Sequence, residues 1–219
     1  MGSMRLTVFG ATGGVGREVV RQALDAGYEV TAVVRDPARL GVADHERLRV
    51  EVVRDLTDED ALVPVLAGRD AVVSALGAAS NKQARLSPVT GPALRAVLAA
   101  MERAGVSRLA AVSAAPVGPD VPSDGVVARK VFLPLLRRAL RDLYADLAVM
   151  EAELRASGVQ WTVIRPPRLL NRPRTGGYRR VIGGNVPGGR VISRADVADA
   201  LLASLTDPAT ARRAVGVAA

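Results

Sequence analysis

Three features combine residue types and spacing that could do chemistry: a glycine cluster, GATGGVG at 10–16, an arginine in VVRDP at 33–37, and a tyrosine, Tyr144, in DLYADLAVME at 142–151. The glycine cluster directly follows the apolar run MRLTVFG (4–10) and opens a helical pattern. Backbone N–H groups at such a helix start can grip a phosphate, with the helix dipole favouring its charge. Gly10 allows a sharp turn, Gly13 and Gly14 remove side chains so that amides can approach a diphosphate, and Gly16 lets the helix pack close to the sheet. Thr12 adds a hydroxyl donor and Val15 an amide of the first turn. The spacing is GxxGxxG instead of GxGxxG, so the strand–turn–helix context carries the reading.

Arg35 falls about 20 residues past the glycines, at the tip of the next strand-like run. An acidic residue at that place would bond the ribose hydroxyls of NAD, whereas an arginine would pair with the 2′-phosphate of NADP. A guanidinium suits that phosphate because it can make two parallel hydrogen bonds and stack on adenine. Arg39 is close enough to assist, and Asp36 is the alternative, as a ribose ligand for NAD. The expectation is NADP (as NADPH) preferred, with NAD possible.

Tyr144 raises the question of proton transfer. Its ordinary pKa is about 10, so acid work near neutrality needs a nearby cation. No lysine or arginine occurs in the seven residues after it; Arg141, beside Asp142, is one turn earlier and expected to be solvated.

The elements that must position these groups alternate regularly. Strand-like runs cover 4–10, 28–35, 47–55, 70–77, 108–115 and 161–166, and VGVA (215–218) reads as an edge strand. Helical patterns cover 15–26, 58–67, 91–105, 193–207 and one long helix over 134–157, marked by the apolar stripe 136, 140, 143, 147, 150, 154. This alternation predicts an α/β fold: a Rossmann-like, doubly wound parallel sheet. Residues 1–3 ahead of Met4 read as a cloning remnant, and 4–219 as a single dinucleotide-binding domain. Residues 167–192, rich in Gly, Pro and Arg, are expected to form an irregular substrate-side cap.

Composition narrows the function. The 219 residues contain no cysteine and one histidine, His45, which excludes thiolate chemistry and leaves no expectation of a metal site. The charge of +8 comes almost wholly from scattered arginines, and aromatics are only 3%, so the interleaving that a single-stranded nucleic-acid platform needs is missing. No long apolar run or signal segment is visible, so the expectation is a cytoplasmic protein with no nucleic-acid or membrane partner, as monomer or homodimer.

GATGGVG (10–16), VVRDP (33–37), RDLTD (54–58), SALG (74–77), AVSAA (111–115), ASGVQWTVIRPPRL (156–169) and SRADVA (193–198) together resemble the atypical short-chain dehydrogenase/reductases, in particular the NmrA-like proteins and the biliverdin-IXβ/flavin reductases. The resemblance implies that Asp55 and Leu56 lie beside adenine, with Asp55 accepting from its amino group. It implies that Ala75, Leu76 and Gly77 line ribose and diphosphate, that Ser113 sits near the nicotinamide, and that Pro166, Pro167 and Arg168 wall it. Many short-chain dehydrogenases pair a tyrosine with a lysine four residues on; here position 148 is alanine, so that pair is absent and a catalytic role for Tyr144 lacks its usual support.

The function expected is an NADPH-dependent reductase passing hydride to a small planar or anionic acceptor, such as a flavin, quinone, tetrapyrrole or secondary metabolite. Ser113 would orient that acceptor, and the basic segments SNKQARLS (80–87) and RLLNRPRTGGYRR (168–180), expected as loops, would hold its anionic groups. An NADP-binding regulator of the NmrA-like kind and an epimerase, isomerase or dehydratase on the same fold are the alternatives.

Overall fold

The computed structural model describes residues 3–78, 81–86, 90–119 and 133–219. Near-continuous apolar runs build the inner strands. In β1 (Arg5–Phe9), Leu6 and Val8 point to one face, and Thr7 and Phe9 to the other. All four are buried, and the Thr7 hydroxyl is satisfied by donating to the Val65 carbonyl at 2.8 Å. Strands buried on both faces need cover on both, and the helices supply it.

On one face, α1 (Gly14–Asp25) and α7 (Arg194–Thr206) pack through Val19, Val20, Ala23, Val197 and Leu201. The other face is covered by α2 (Glu59–Leu66), α4 (Thr90–Ala104) and α6 (Arg141–Ala156), through Leu62, Leu94, Met101, Met150 and Leu154. Trp161 belongs to this second core.

The remaining strands are β2 (Glu29–Val34), β3 (Leu48–Val52), β4 (Ala71–Ser74), β5 (Arg108–Val112), β6 (Gln160–Arg165), β7 (Arg168–Leu170), β8 (Arg179–Ile182), β9 (Val191–Ser193) and β10 (Arg213–Ala218). The main sheet runs β3-β2-β1-β4-β5-β6-β10-β8, parallel except for the β10–β8 pair. The chain winds outward from β1 in both directions, so the expected doubly wound Rossmann-like sheet is what forms. Among the described residues, no helix is long and apolar enough to cross a membrane.

Four expectations are corrected. The helix over 134–157 is two helices, α5 (Leu133–Ala139) and α6, separated at Leu140 with φ −116° and ψ 27°. The break is stabilised from afar: the Asn81 side-chain oxygen accepts from the Asp142 and Leu143 amides at 3.0 and 3.1 Å, capping α6. Asn81 lies in α3 (Asn81–Leu86), a helix where the basic segment 80–87 was expected to be loop; Ser80, Ser87 and Lys130 lie outside the described residues.

The stretch 167–192 is not irregular throughout, since it contains β7, β8 and β9, each only three or four residues and too short to show a period. β10 is interior, not an edge, because β8 pairs antiparallel along its outer side.

α4 and α6 meet closely. A Cβ on Gly91 would lie 2.9 Å from Val149 Cγ1, and the buried Asp146 carboxylate accepts from the Thr90 and Gly91 amides at 3.1 Å each. Replacing Asp146 by alanine leaves two helix-start donors without that acceptor. Asp146→Ala should therefore destabilise the protein by about 1–3 kcal/mol, read from the urea midpoint at unchanged slope.

Candidate functional site

The parallel registers bring the expected site residues to one edge. Phe9 pairs with Val33 and Ser74, and Val112 pairs with Ile164, so the segments after β1, β2, β4, β5 and β6 all leave the sheet at its carboxyl side. The direction of winding reverses between β1 and β4, the place where open α/β sheets bind ligands.

At that crevice the backbone is tightly packed. Gly10 has φ +72°, and a Cβ on it would lie 2.5 Å from the Ala75 carbonyl oxygen. A Cβ on Gly16 would come within 2.1 Å of the Gly10 carbonyl oxygen, so the helix enters the turn through a gap that only glycine leaves open. The Gly13 amide donates to Gly10 at 2.9 Å, closing the turn. Gly13 precedes α1 with no side-chain cap, and no acidic residue lies in the first turn. Val15 turns its side chain into the core, leaving only its backbone for a ligand; Thr12 is half-buried at the turn. The uncapped amides, with no side chain on Gly13 or Gly14, fit a diphosphate.

At the tip of β2, Arg35 and Arg39 are exposed, and neither guanidinium has a hydrogen bond or ion pair among the described residues. Asp36 caps the short turn at Pro37–Arg39, accepting from the Ala38 amide at 3.1 Å. Arg17, on α1, donates to the Arg39 carbonyl at 3.2 Å and braces this turn against the helix. Asp55 accepts from the Thr57 amide and hydroxyl with one oxygen, which holds its carboxyl below the usual range and leaves the second oxygen without a partner among the described residues. Leu56 packs at the border of the second core; Leu76 is buried there, and Gly77 is exposed with open space beside it.

Beyond β5 the structure builds a charged network. The Ser113 hydroxyl donates to Glu151 at 2.8 Å. Glu151 is 2% exposed and receives both the Nε (2.9 Å) and Nη2 donors of buried Arg165, together with Arg155 Nη2 at 2.6 Å. Ser113 has a single proton and Glu151 takes it, so any other contact to that hydroxyl is one it accepts. In this arrangement the hydroxyl is oriented to accept from a further group, not to donate to it.

Pro166 is buried and Pro167 half-buried; Arg168 is exposed and begins β7. Tyr144 is half-buried against the second core, and burial pushes its phenol above the ordinary value against a smaller opposing pull from Arg137. That shift runs opposite to what an acid near neutrality needs.

Of the basic groups expected to hold an acceptor, Arg174 and Arg180 pair with Asp199 and Asp207, and Arg179 donates to the Pro187 and Ala219 carbonyls. Arg168 and Arg172 keep exposed side chains with no such partner among the described residues.

The helix expected over 193–207 forms as α7, but sequence reasoning missed what its first turn holds. The Ser193 hydroxyl accepts from the Asp196 amide at 2.8 Å and donates to its carboxylate, a cap legible in the S-x-x-D spacing. Asp196 also accepts from the Thr175 amide (2.7 Å), the Thr175 hydroxyl (3.0 Å) and the Gly176 amide (2.9 Å), docking the 171–177 segment onto the helix. Burial pushes this carboxyl up, but the four bonds together hold it below its ordinary value. The next residue after the cap, Arg194, lies across Gly14, and its Nη1 donates to Asn171 Oδ1 at 2.6 Å. Glu151 was also missed; a charge inside the 147, 150, 154 stripe was the available signal.

Fold and crevice together define a Rossmann-like protein of the atypical short-chain dehydrogenase/reductase class. A family model described as NAD(P)H-binding matches residues 10–208, and the chain belongs to that NAD(P)H-binding family. YwnB of Bacillus subtilis is 30% identical over 212 residues, covering 94% of this chain and 93% of its own. A (4-alkanoyl-5-oxo-2,5-dihydrofuran-3-yl)methyl phosphate reductase of Streptomyces griseus is 31% identical over 220 residues, covering 97% of this chain and 67% of its own.

Among solved structures, a short-chain dehydrogenase/reductase from Veillonella parvula in complex with NADP superposes with TM-score 0.77 at 20% identity, covering 99% of this chain and 94% of that one. The Escherichia coli anaerobilin reductase ChuY does so with TM-score 0.72 at 25% identity, covering 98% and 97%.

Two outcomes follow from the buried charges. Glu151→Gln keeps the shape but leaves the Arg165 cation unpaired, and should cost about 3–5 kcal/mol in chemical denaturation. Asp196, held below its ordinary value of about 4, contributes stability that is complete above that pH and is lost as pH falls through the lowered value. The stability gap between wild type and Asp196→Asn should therefore narrow below about pH 4 and stay flat from about pH 5 to 7.

Proposed function

We propose that this protein is an NADPH-dependent reductase that passes hydride to a small planar or anionic acceptor. The observation that carries the reading is the pairing of an uncapped glycine turn at the crevice with two exposed, unpartnered arginines at the neighbouring strand tip. The turn suits a diphosphate, and Arg35 with Arg39 suits the extra phosphate that distinguishes NADPH from NADH. Asp36 caps its own turn, which favours the phosphate reading over a ribose-binding carboxylate.

Bound NADPH would supply the hydride. The chain's part is to hold the dinucleotide and orient the acceptor. Ser113, with its proton directed to Glu151, would accept from an N–H or O–H of cofactor or acceptor. Arg168 and Arg172 would attract an anionic acceptor group. With Tyr144 half-buried and its phenol pushed upward, the balancing proton comes from solvent. The Streptomyces relative is named for reducing a planar ring that bears a phosphate, an acceptor of this class.

The second reading is an NADP-binding sensor without turnover. The missing Tyr/Lys pair and the committed Ser113 proton favour it.

Calorimetric titration with NADPH and NADH, then an acceptor screen following nicotinamide absorbance, separates the two. Oxidation with a flavin, quinone, tetrapyrrole or dihydrofuranone phosphate supports the reductase; binding with no oxidation supports the sensor. Arg35→Ala should weaken NADPH roughly 10- to 100-fold and NADH less than threefold, the loss of a charge-assisted contact worth about 1.5–3 kcal/mol. Equal weakening of both would remove Arg35 from the phosphate site.

A further inference from the structure

The residue that fills the space beside the glycine turn comes from the far end of the sequence. A Cβ on Gly14 would lie 2.6 Å from Arg194 Cδ and 2.7 Å from its Nε, with Cζ at 3.8 Å. Gly13, by contrast, would meet only the Gly10 carbonyl oxygen, at 3.2 Å. The absence of a side chain at 14 thus makes room for the Arg194 stem, and the guanidinium crosses the start of α1.

Its charge is not matched there. Arg165, Arg174 and Arg180 each meet a carboxylate, whereas Arg194 donates one hydrogen bond to the neutral amide of Asn171. The first acid of its own helix, Asp196, is already engaged by Ser193, Thr175 and Gly176. Opposite stands the positive end of α1, with no cap and no acid in its first turn. Two positive features face each other with no carboxylate paired to Arg194 among the described residues, an arrangement that a shared phosphate would relieve. A guanidinium has five N–H donors, so the Asn171 bond leaves others to give.

We propose that Arg194 is a ligand of the dinucleotide's diphosphate, closing over it from the α7 side while the α1 amides hold it from below. The proposal deepens the dinucleotide reading of the glycine turn and rests on it. Arg194 and Asn171 would then join the 171–177 segment, with its exposed Arg172, to the bound cofactor, so that the acceptor side is organised by the same phosphate.

The test compares a ligand that has the diphosphate with one that lacks it. The full chain and its Arg194→Met and Arg194→Lys variants are titrated calorimetrically with NADPH and with adenosine 2′-monophosphate, and their unliganded melting curves are recorded. Arg194→Met keeps the stem over Gly14 and removes the charge. It should weaken NADPH roughly 10- to 100-fold and leave adenosine 2′-monophosphate within twofold; Arg194→Lys should recover part of the NADPH loss. Unchanged NADPH affinity in Arg194→Met overturns the proposal, as does an equal loss for both ligands or a loss that lysine does not relieve. Failure of the wild-type chain to bind NADPH overturns the dinucleotide reading itself, and this proposal with it, which distinguishes the two failures.

Discussion

The contact on which the rest depends is one of backbone against backbone. At the carboxyl end of β1 the Gly10 carbonyl oxygen lies where a Cβ on residue 16 would be, at 2.1 Å, and the Ala75 carbonyl lies where a Cβ on residue 10 would be, at 2.5 Å. Main chain from β1, α1 and the segment after β4 converges there because no side chain intervenes. That convergence points the amides of α1 at the reversal of the sheet's winding, and it sets the depth of the crevice that the other strand ends surround. The local requirement is steric, and its consequence is electrostatic.

Around this contact the protein uses buried carboxylates as anchors. Asp146 joins α6 to α4, Glu151 gathers Ser113, Arg165 and Arg155 under the end of β5, and Asp196 fixes the 171–177 segment to α7. Each is satisfied by several donors, as burial of a charge demands. Their common effect is positional: the anchors lie where helices and loops meet, so side chains on different elements are held in fixed relation.

What was legible in the sequence followed physical reach. Local signals read well. The 12 residues of α1 show their buried face at 15, 19, 20, 23 and 24, and Gly10 and Gly16 announce a turn that nothing but glycine can make. The doubly wound class could be inferred because alternation of strand and helix permits few windings. Signals that depend on distant partners were hidden. The split at Leu140 answers to Asn81, sixty residues earlier; the interior place of β10 answers to β8; and Gly14 answers to Arg194. Ser113 was expected at the end of β5, but the direction of its proton is set by Glu151, whose own charge was hidden beside an apolar stripe.

The placement of β10 bears on how the chain is assembled. It is the last strand of the sheet in sequence order, yet it inserts between β6 and β8 and pairs with both. Until residues 213–218 have emerged from a ribosome, β8 has no partner in the sheet and β6 keeps a raw flank of unpaired amides and carbonyls. From the emergence of β6 until that of β10, the nascent polypeptide would carry an adhesive margin, sealed once residues 213–218 slot in beside it.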